Sequence, residues 1–158
     1  MTQNNSAFLL PADASLGGVI SVFGQTITEP ITAESSGGAY QVIDELTPPG
    51  MGVPPHQHSL EDEVVFIRAG VFDVYLDGKI SQAGPGAILD FARGTMHGFR
   101  CVGPAIGETT WLITPGLNFQ TFMRAVAAFP PGPPDFAKLD ALHAKHGVVM
   151  PAPKPGWW

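Results

Sequence analysis

From residue 38 to 114 the chain alternates short apolar stretches with turn residues. One candidate strand covers 40–46 and stops at Pro48, Pro49 and Gly50. Residues 64–68 are β-branched and aromatic. In the next stretch, 71–76, Phe72, Val74 and Leu76 alternate with Asp73 and Tyr75, the period-two pattern of a half-buried strand. Asp77-Gly78 then reads as a type I′ hairpin turn. Stretches 87–91, 97–102 and 109–114 continue the series, with Gly or Pro between each. Short strands at this spacing predict a β-sandwich or barrel. Residues 1–37 are polar and weakly patterned, with an apolar stretch over 18–23 that fits an edge strand.

The period changes after Pro115-Gly116. Phe119, Phe122, Met123 and Val126 follow helical spacing, and Pro130-Pro131 ends that pattern. Pro133-Pro134 can open a second helix, with Phe136, Leu139, Leu142 and His143 on one side and Gly147 as its C-terminal cap. The two helices are expected to pack outside the sheet. His143 and His146, near the helix end, suit a cation facing the helix dipole. The Trp157-Trp158 pair is expected to cover a hydrophobic patch or a neighbouring subunit.

Composition narrows the class. The chain has 158 residues, enough for one domain with its own core. Only 14% of residues are charged, Gly and Pro number 19 and 16, and 44% are hydrophobic, so the chain is turn-rich yet not disordered. The net charge of −6, with eight scattered basic residues, offers nothing to track a phosphate backbone or hold an anionic membrane. A single cysteine, Cys101, excludes an intramolecular disulfide and a Cys-based zinc site. Residues 1–6 carry no positive charge, the apolar stretch 7–10 is too short for a signal peptide, and no apolar run would span a bilayer. These features predict a cytoplasmic protein with a small-molecule partner, neither nucleic acid nor membrane.

His56 and His58 are two residues apart, so on an extended chain both rings project from one face. Glu61-Asp62-Glu63 follows directly before a strand, and His97 opens another. A chain turning there brings a carboxylate back beside the histidines. Imidazole nitrogens with one carboxylate oxygen suit one divalent first-row ion: Fe, Mn, Ni, Zn, Co or Cu.

The spacing is more specific than the composition. Gly50, His56, His58, Glu63 and Gly70 fit G-x5-H-x-H-x4-E-x6-G, and Gly86, Gly94 and His97 fit a second pattern, G-x5-P-x-G-x2-H-x3-N. Two departures occur: Ala92 stands in place of proline and Cys101 in place of asparagine. With these motifs the chain resembles the cupin superfamily, and its layout is similar to small single-domain bacterial cupins of the quercetin 2,3-dioxygenase-like kind. The resemblance implies a double-stranded β-helix (the cupin jelly-roll barrel): an all-β fold whose barrel core spans about 38–114, with a helical tail at about 117–147. It implies the metal ligands His56, His58, Glu63 and His97, with Glu63 preferred to Glu61 by its spacing. Gly70 and Gly94 are expected in tight turns needing positive φ or close packing.

Three imidazoles and one carboxylate leave one or two positions open on a five- or six-coordinate ion, which suits catalysis or binding. Val65 and Ile67 share parity with Glu63, and Cys101 with His97 and Phe99. Val65, Ile67, Phe99 and Cys101 are therefore expected to line the substrate pocket, the Cys101 thiol near the metal at most as a fifth contact. The resemblance implies a metal-dependent dioxygenase acting on a small aromatic or enolic compound, Glu63 also taking the substrate hydroxyl proton. A non-catalytic small-molecule-binding or sensing cupin and a metal-assisted isomerase or lyase are the alternatives. The apolar tail and the family habit of strand exchange favour a homodimer.

Overall fold

The computed structural model of the chain describes residues 16–130 and 135–152. The stretch 7–10, Pro133-Pro134 and Trp157-Trp158 lie outside the described residues, so the expectations placed on them are not addressed further. The strands are β1 (Val19–Val22), β2 (Gln25–Ile31), β3 (Gln41–Thr47), β4 (Gly52–His58), β5 (Asp62–Ala69), β6 (Phe72–Leu76), β7 (Lys79–Ala83), β8 (Ile88–Phe91), β9 (His97–Cys101) and β10 (Gly107–Thr114). Helices α1 (Leu117–Ala127) and α2 (Phe136–His146) follow, then the short strand β11 (Val148–Val149).

All strand pairs are antiparallel and form two sheets, ordered β1-β2-β3-β10-β5-β8 and β11-β4-β9-β6-β7. The alternation that marks the strands also decides what they enclose. Ile43 on β3, Val65 and Ile67 on β5, Phe72 and Val74 on β6, and Trp111 and Ile113 on β10 are buried at every second position. Across the interior the Phe99 ring lies 5.2 Å from Trp111 and 6.2 Å from Phe72, so side chains of both sheets meet in one core. The result is the expected jelly roll followed by two helices.

Three turns depend on backbone conformations that the sequence anticipates. Asp77 and Gly78 have φ of 44° and 91° and join β6 to β7, as a type I′ turn requires. Gly70 has φ 85°, and a Cβ there would stand 2.6 Å from the Gly107 Cα. Gly94 has φ 80° and donates its N–H to the His58 carbonyl at 2.7 Å.

The sheets begin earlier than expected. β1 and β2 add to β3, so the barrel starts at Val19 rather than near residue 38. Two of the inward positions of β2 are Gln25 and Glu29, buried but polar, which hides the alternation from a hydrophobic pattern. β4 runs through Pro54-Pro55 because the register with β9 shifts between Val53 and His56, a bulge in which a proline N–H is not needed.

The helices lie outside both sheets, and α1 turns Phe119, Phe122 and Val126 inward. A half-buried ion pair fixes it: Arg124 Nη2 donates to Glu29 Oε2 at 3.1 Å, while Gln41 donates to Glu29 Oε1 at 2.8 Å. In α2 the buried positions are Leu139, His143 and His146. Phe136, expected on that face, is 68% exposed, because the helix meets the barrel only from its second turn. Asp135 caps the helix start through the Lys138 N–H, and Gly147 ends it with φ 72°. Val148 then pairs with His58, sealing the edge of β4. No helix among the described residues is long and apolar enough to cross a membrane.

Candidate metal centre

The ligand candidates converge from both sheets. β4 carries His56 and His58 at alternate inward positions, and its pairing with β9 sets His56 opposite His97. β5, in the other sheet, supplies Glu63. One ligand atom from each of the three histidines lies within 4.8 Å of the others. Glu63 Oε2 is 2.9 Å from His97 Nε2, and Glu63 Oε1 is 3.9 Å from His58 Nε2. All four side chains are buried.

Second contacts orient the rings. His56 Nδ1 lies 2.9 Å from the Pro54 carbonyl, and His97 Nδ1 lies 3.0 Å from the Thr95 carbonyl. A carbonyl only accepts, so each Nδ1 donates its proton there and leaves Nε2 to face the cluster. The Phe91 ring stacks on His97 at 4.3 Å with an interplanar angle of 8°, holding the imidazole in plane. His58 is approached from the other side by Glu61, whose Oε2 stands 3.5 Å from its Nδ1. Asn118 of α1 donates to Glu61 Oε1 and to the His146 carbonyl, tying the helical tail to this outer carboxylate. The two acids therefore differ in position, Glu63 among the rings and Glu61 behind one of them.

The electrostatics follow from burial and charge. Burial opposes ionisation of Glu63, but the charge of His58, the contact with His97 and the charges of His97 and His56 outweigh it and hold the carboxyl at about 2. Burial and the neighbouring charges of His97 and His58 pull His56 down to about 3, so it is neutral at ordinary pH. Burial also works against a charged His58, yet Glu63 and Glu61 prevail and raise it. A buried carboxylate that must be balanced by cationic charge is the setting a divalent ion satisfies. Two buried atoms, His97 Nε2 and Glu63 Oε2, make no hydrogen bond despite their proximity. Two unsatisfied donor atoms aimed at one point, with three-nitrogen, one-oxygen chemistry, fit such an ion.

The cluster opens into a cavity of about 70 Å³. Its walls are mainly apolar and include Phe99, Trp111, Ile43, Phe119 and Phe122. Of the four residues expected to line the pocket, Phe99 does. Val65, Ile67 and Cys101 are buried but lie outside the cavity lining. Parity turns a side chain inward without saying how deep the open space reaches, and the bulky Phe99 and Trp111 rings occupy the interior between. The Cys101 thiol contacts the Ala105 carbonyl at 3.5 Å and is not part of the histidine cluster.

The remaining wall was not legible as a site. Phe119 and Phe122, read as core, place their rings 5.5 and 6.4 Å from His58. His143 lines the cavity, and burial lowers the pKa of both His143 and His146, so neither serves as the expected cation at the helix end. Gln25 and Glu45 also reach the cavity. The inward parity of β3 was available as a signal for Glu45, but a carboxylate at an inward strand position offers no motif.

Comparison with known proteins agrees with this architecture. The sequence profile of the cupin domain matches residues 44–113, the stretch that holds all four clustered residues. No curated protein sequence matches the chain at a significant level. KdgF from Halomonas sp. superposes with a TM-score of 0.60 at 21% identity, over 70% of this chain and 94% of that one. A predicted oxalate decarboxylase from Thermotoga maritima gives 0.59 at 18%, over 68% of this chain and 98% of that one. The oxalate decarboxylase of Bacillus subtilis, whose structure concerns its Mn(II) centres, gives 0.55 at 18%, over 63% of this chain and 27% of that one. Residues 44–113 thus resemble a cupin domain, and the chain has the cupin fold.

Proposed function

We propose that the protein is a metal-dependent dioxygenase of the quercetinase-like kind, acting on a small aromatic or enolic compound. The observation that carries this reading is the four-residue cluster of three neutral-capable imidazoles and Glu63, set in the wall of a mainly apolar cavity. His56, His58, His97 and Glu63 would hold one divalent ion. That ion would supply Lewis acidity towards an enol oxygen and a redox-capable centre for dioxygen. The chain's own part is to orient the substrate between Phe99, Trp111 and the α1 aromatics, and to keep water away. Glu63, ionised at neutral pH, would accept a hydrogen bond from the substrate hydroxyl or take its proton.

Metal-reconstituted protein should consume oxygen with flavonols or other enolic compounds. Absence of uptake with Fe, Mn, Ni and Co overturns the reading. The likeness to a predicted oxalate decarboxylase supports a second one, a metal-assisted lyase or isomerase. Turnover without oxygen, and with Zn, selects it. Ligand-dependent stabilisation without product selects a binding or sensing role. The proposal includes a cytoplasmic homodimer, which light scattering of the purified protein tests.

A further inference from the structure

The cavity beside the cluster is nearly closed. Its volume of about 70 Å³ leaves room for about two water molecules, whereas small-molecule pockets typically measure about 300–1,000 Å³. A larger molecule reaches the histidines only if part of the wall moves. Among the described residues that line the cavity, Phe23 and Met150 are the most exposed, at 44% and 36%. The lining meets solvent at these two side chains, so the mouth lies at the β1–β2 turn and the chain just after β11.

Phe23 is an unusual residue for that turn. Val22 pairs with Gln25, so Phe23-Gly24 is a two-residue hairpin loop, and its residues have φ of 49° and 82°. A type I′ turn has this left-handed backbone and favours Asn, Asp or Gly at its first central position. The β6–β7 hairpin follows that rule with Asp77-Gly78, at φ 44° and 91°. Phe in the same place sets its Cβ against the backbone and leaves its ring half exposed. Gly24 obeys the rule, since a Cβ there would lie 2.6 Å from the Met51 methyl carbon. Neither turn geometry nor burial accounts for the aromatic ring. Its place in the cavity wall, beside the inward Val22 and Gln25, does.

We propose that Phe23 controls entry to the cavity: its ring, carried on the β1–β2 turn, closes the mouth together with Met150 and sets the size of molecule that reaches the histidine cluster. A turn held in a conformation its residue disfavours lies close in energy to others, so the ring can leave the mouth while the sheets stay intact. Val22 and Gln25 on either side are buried, and Gln25 is tied to Glu45, which confines the movement to the two loop residues. That the entering molecule is a substrate rests on the function proposed above; the entrance itself does not.

Trp111 lines the same cavity and is 5% exposed, so quenching of its fluorescence reads entry without requiring metal. Acrylamide and the bulkier succinimide are the probes, applied to the full chain with Trp157 and Trp158 replaced by Phe so that Trp111 is the only tryptophan. Phe23→Asn removes the ring and supplies a residue the turn favours. Its quenching constant should rise at least about fivefold for succinimide and about threefold for acrylamide, with a urea midpoint equal to or above that of the parent. Phe23→Tyr keeps the ring and should match the parent. Met150→Ala widens the mouth without touching the turn, should the Asn variant not fold, and should raise succinimide quenching at least about twofold. Unchanged quenching in the variant that folds, or an equal rise in Phe23→Tyr, overturns the inference. So does quenching that rises only with a lowered urea midpoint, the mark of a ring that serves packing alone. A parent in which succinimide reaches Trp111 as readily as acrylamide also overturns it. A parent that takes up no metal but shows the expected entry pattern removes the function proposed above and keeps the entrance.

Discussion

His97 Nε2 and Glu63 Oε2 stand 2.9 Å apart in the protein interior and share no hydrogen bond. One belongs to each sheet, so the pair spans the barrel at the point where His56 and His58 also arrive. A stability role alone would favour a well-aligned bond between them.

The freshly purified protein should carry near-stoichiometric transition metal by elemental analysis, and His58→Ala and Glu63→Ala should each lose most of it. Iron, manganese, nickel or copper would direct the assays to dioxygen chemistry, and zinc to Lewis-acid chemistry. A wild-type protein that neither contains nor takes up metal removes the four-ligand assignment.

Glu61→Gln should weaken metal binding by about 10–100-fold while leaving all four ligands in place. Glu61 approaches His58 from behind and is itself held by Asn118, so the change acts through ring orientation. Unchanged affinity in a competition titration with a chelator would show that His58 is held by packing against Phe119 alone.

Metal binding should release a proton. The Glu63 carboxylate is already ionised, and His56 is neutral above about 3, but His58 is raised and holds its proton in the metal-free cluster. An imidazole ligand must be neutral, so affinity should climb as pH rises through the folded-state pKa of His58. Calorimetry at about pH 6, in buffers of different ionisation enthalpy, reads the number released, expected near one per ion.

Glu45 should give the metal-free protein an opposite pH dependence. Its folded pKa of about 7 lies above the ordinary 4.5, so between those values the native state keeps a proton that the unfolded chain has lost. The penalty for folding therefore grows as pH rises through that window. Glu45→Gln removes it, and its melting temperature relative to wild type should be higher at about pH 8 than at about pH 5. A constant difference would mean that Glu45 ionises normally.

Gly70→Ala should destabilise the fold by about 1–3 kcal/mol, from the positive φ and the contact a Cβ would make with the Gly107 backbone. Cys101→Ala should leave metal content unchanged, since its thiol faces the Ala105 carbonyl rather than the cluster.

The four clustered residues were legible because they sit in two short motifs whose spacing is dictated by adjacent strands. The strands with apolar inward faces were legible for the same periodic reason. β2 was not, because Gln25 and Glu29 point inward and are satisfied by partners far away in sequence. β4 was disguised by Pro54-Pro55, which only a bulge accommodates. The cavity wall was the least legible part. Val65 and Ile67 have the right parity but the wrong depth, whereas Phe119 and Phe122 come from a helix whose spacing says only that one face is buried.

The pairing of β11 with β4 bears on the order in which the molecule is assembled. Ser59, next to His58, binds the Gly147 carbonyl through both its N–H and its hydroxyl, across 88 residues of chain. All four clustered residues have been synthesised once His97 is made, yet the strand bearing two of them keeps an open edge until Val148 arrives. A nascent chain can therefore meet an ion before its barrel is closed, and the late-arriving tail then shuts the cluster in.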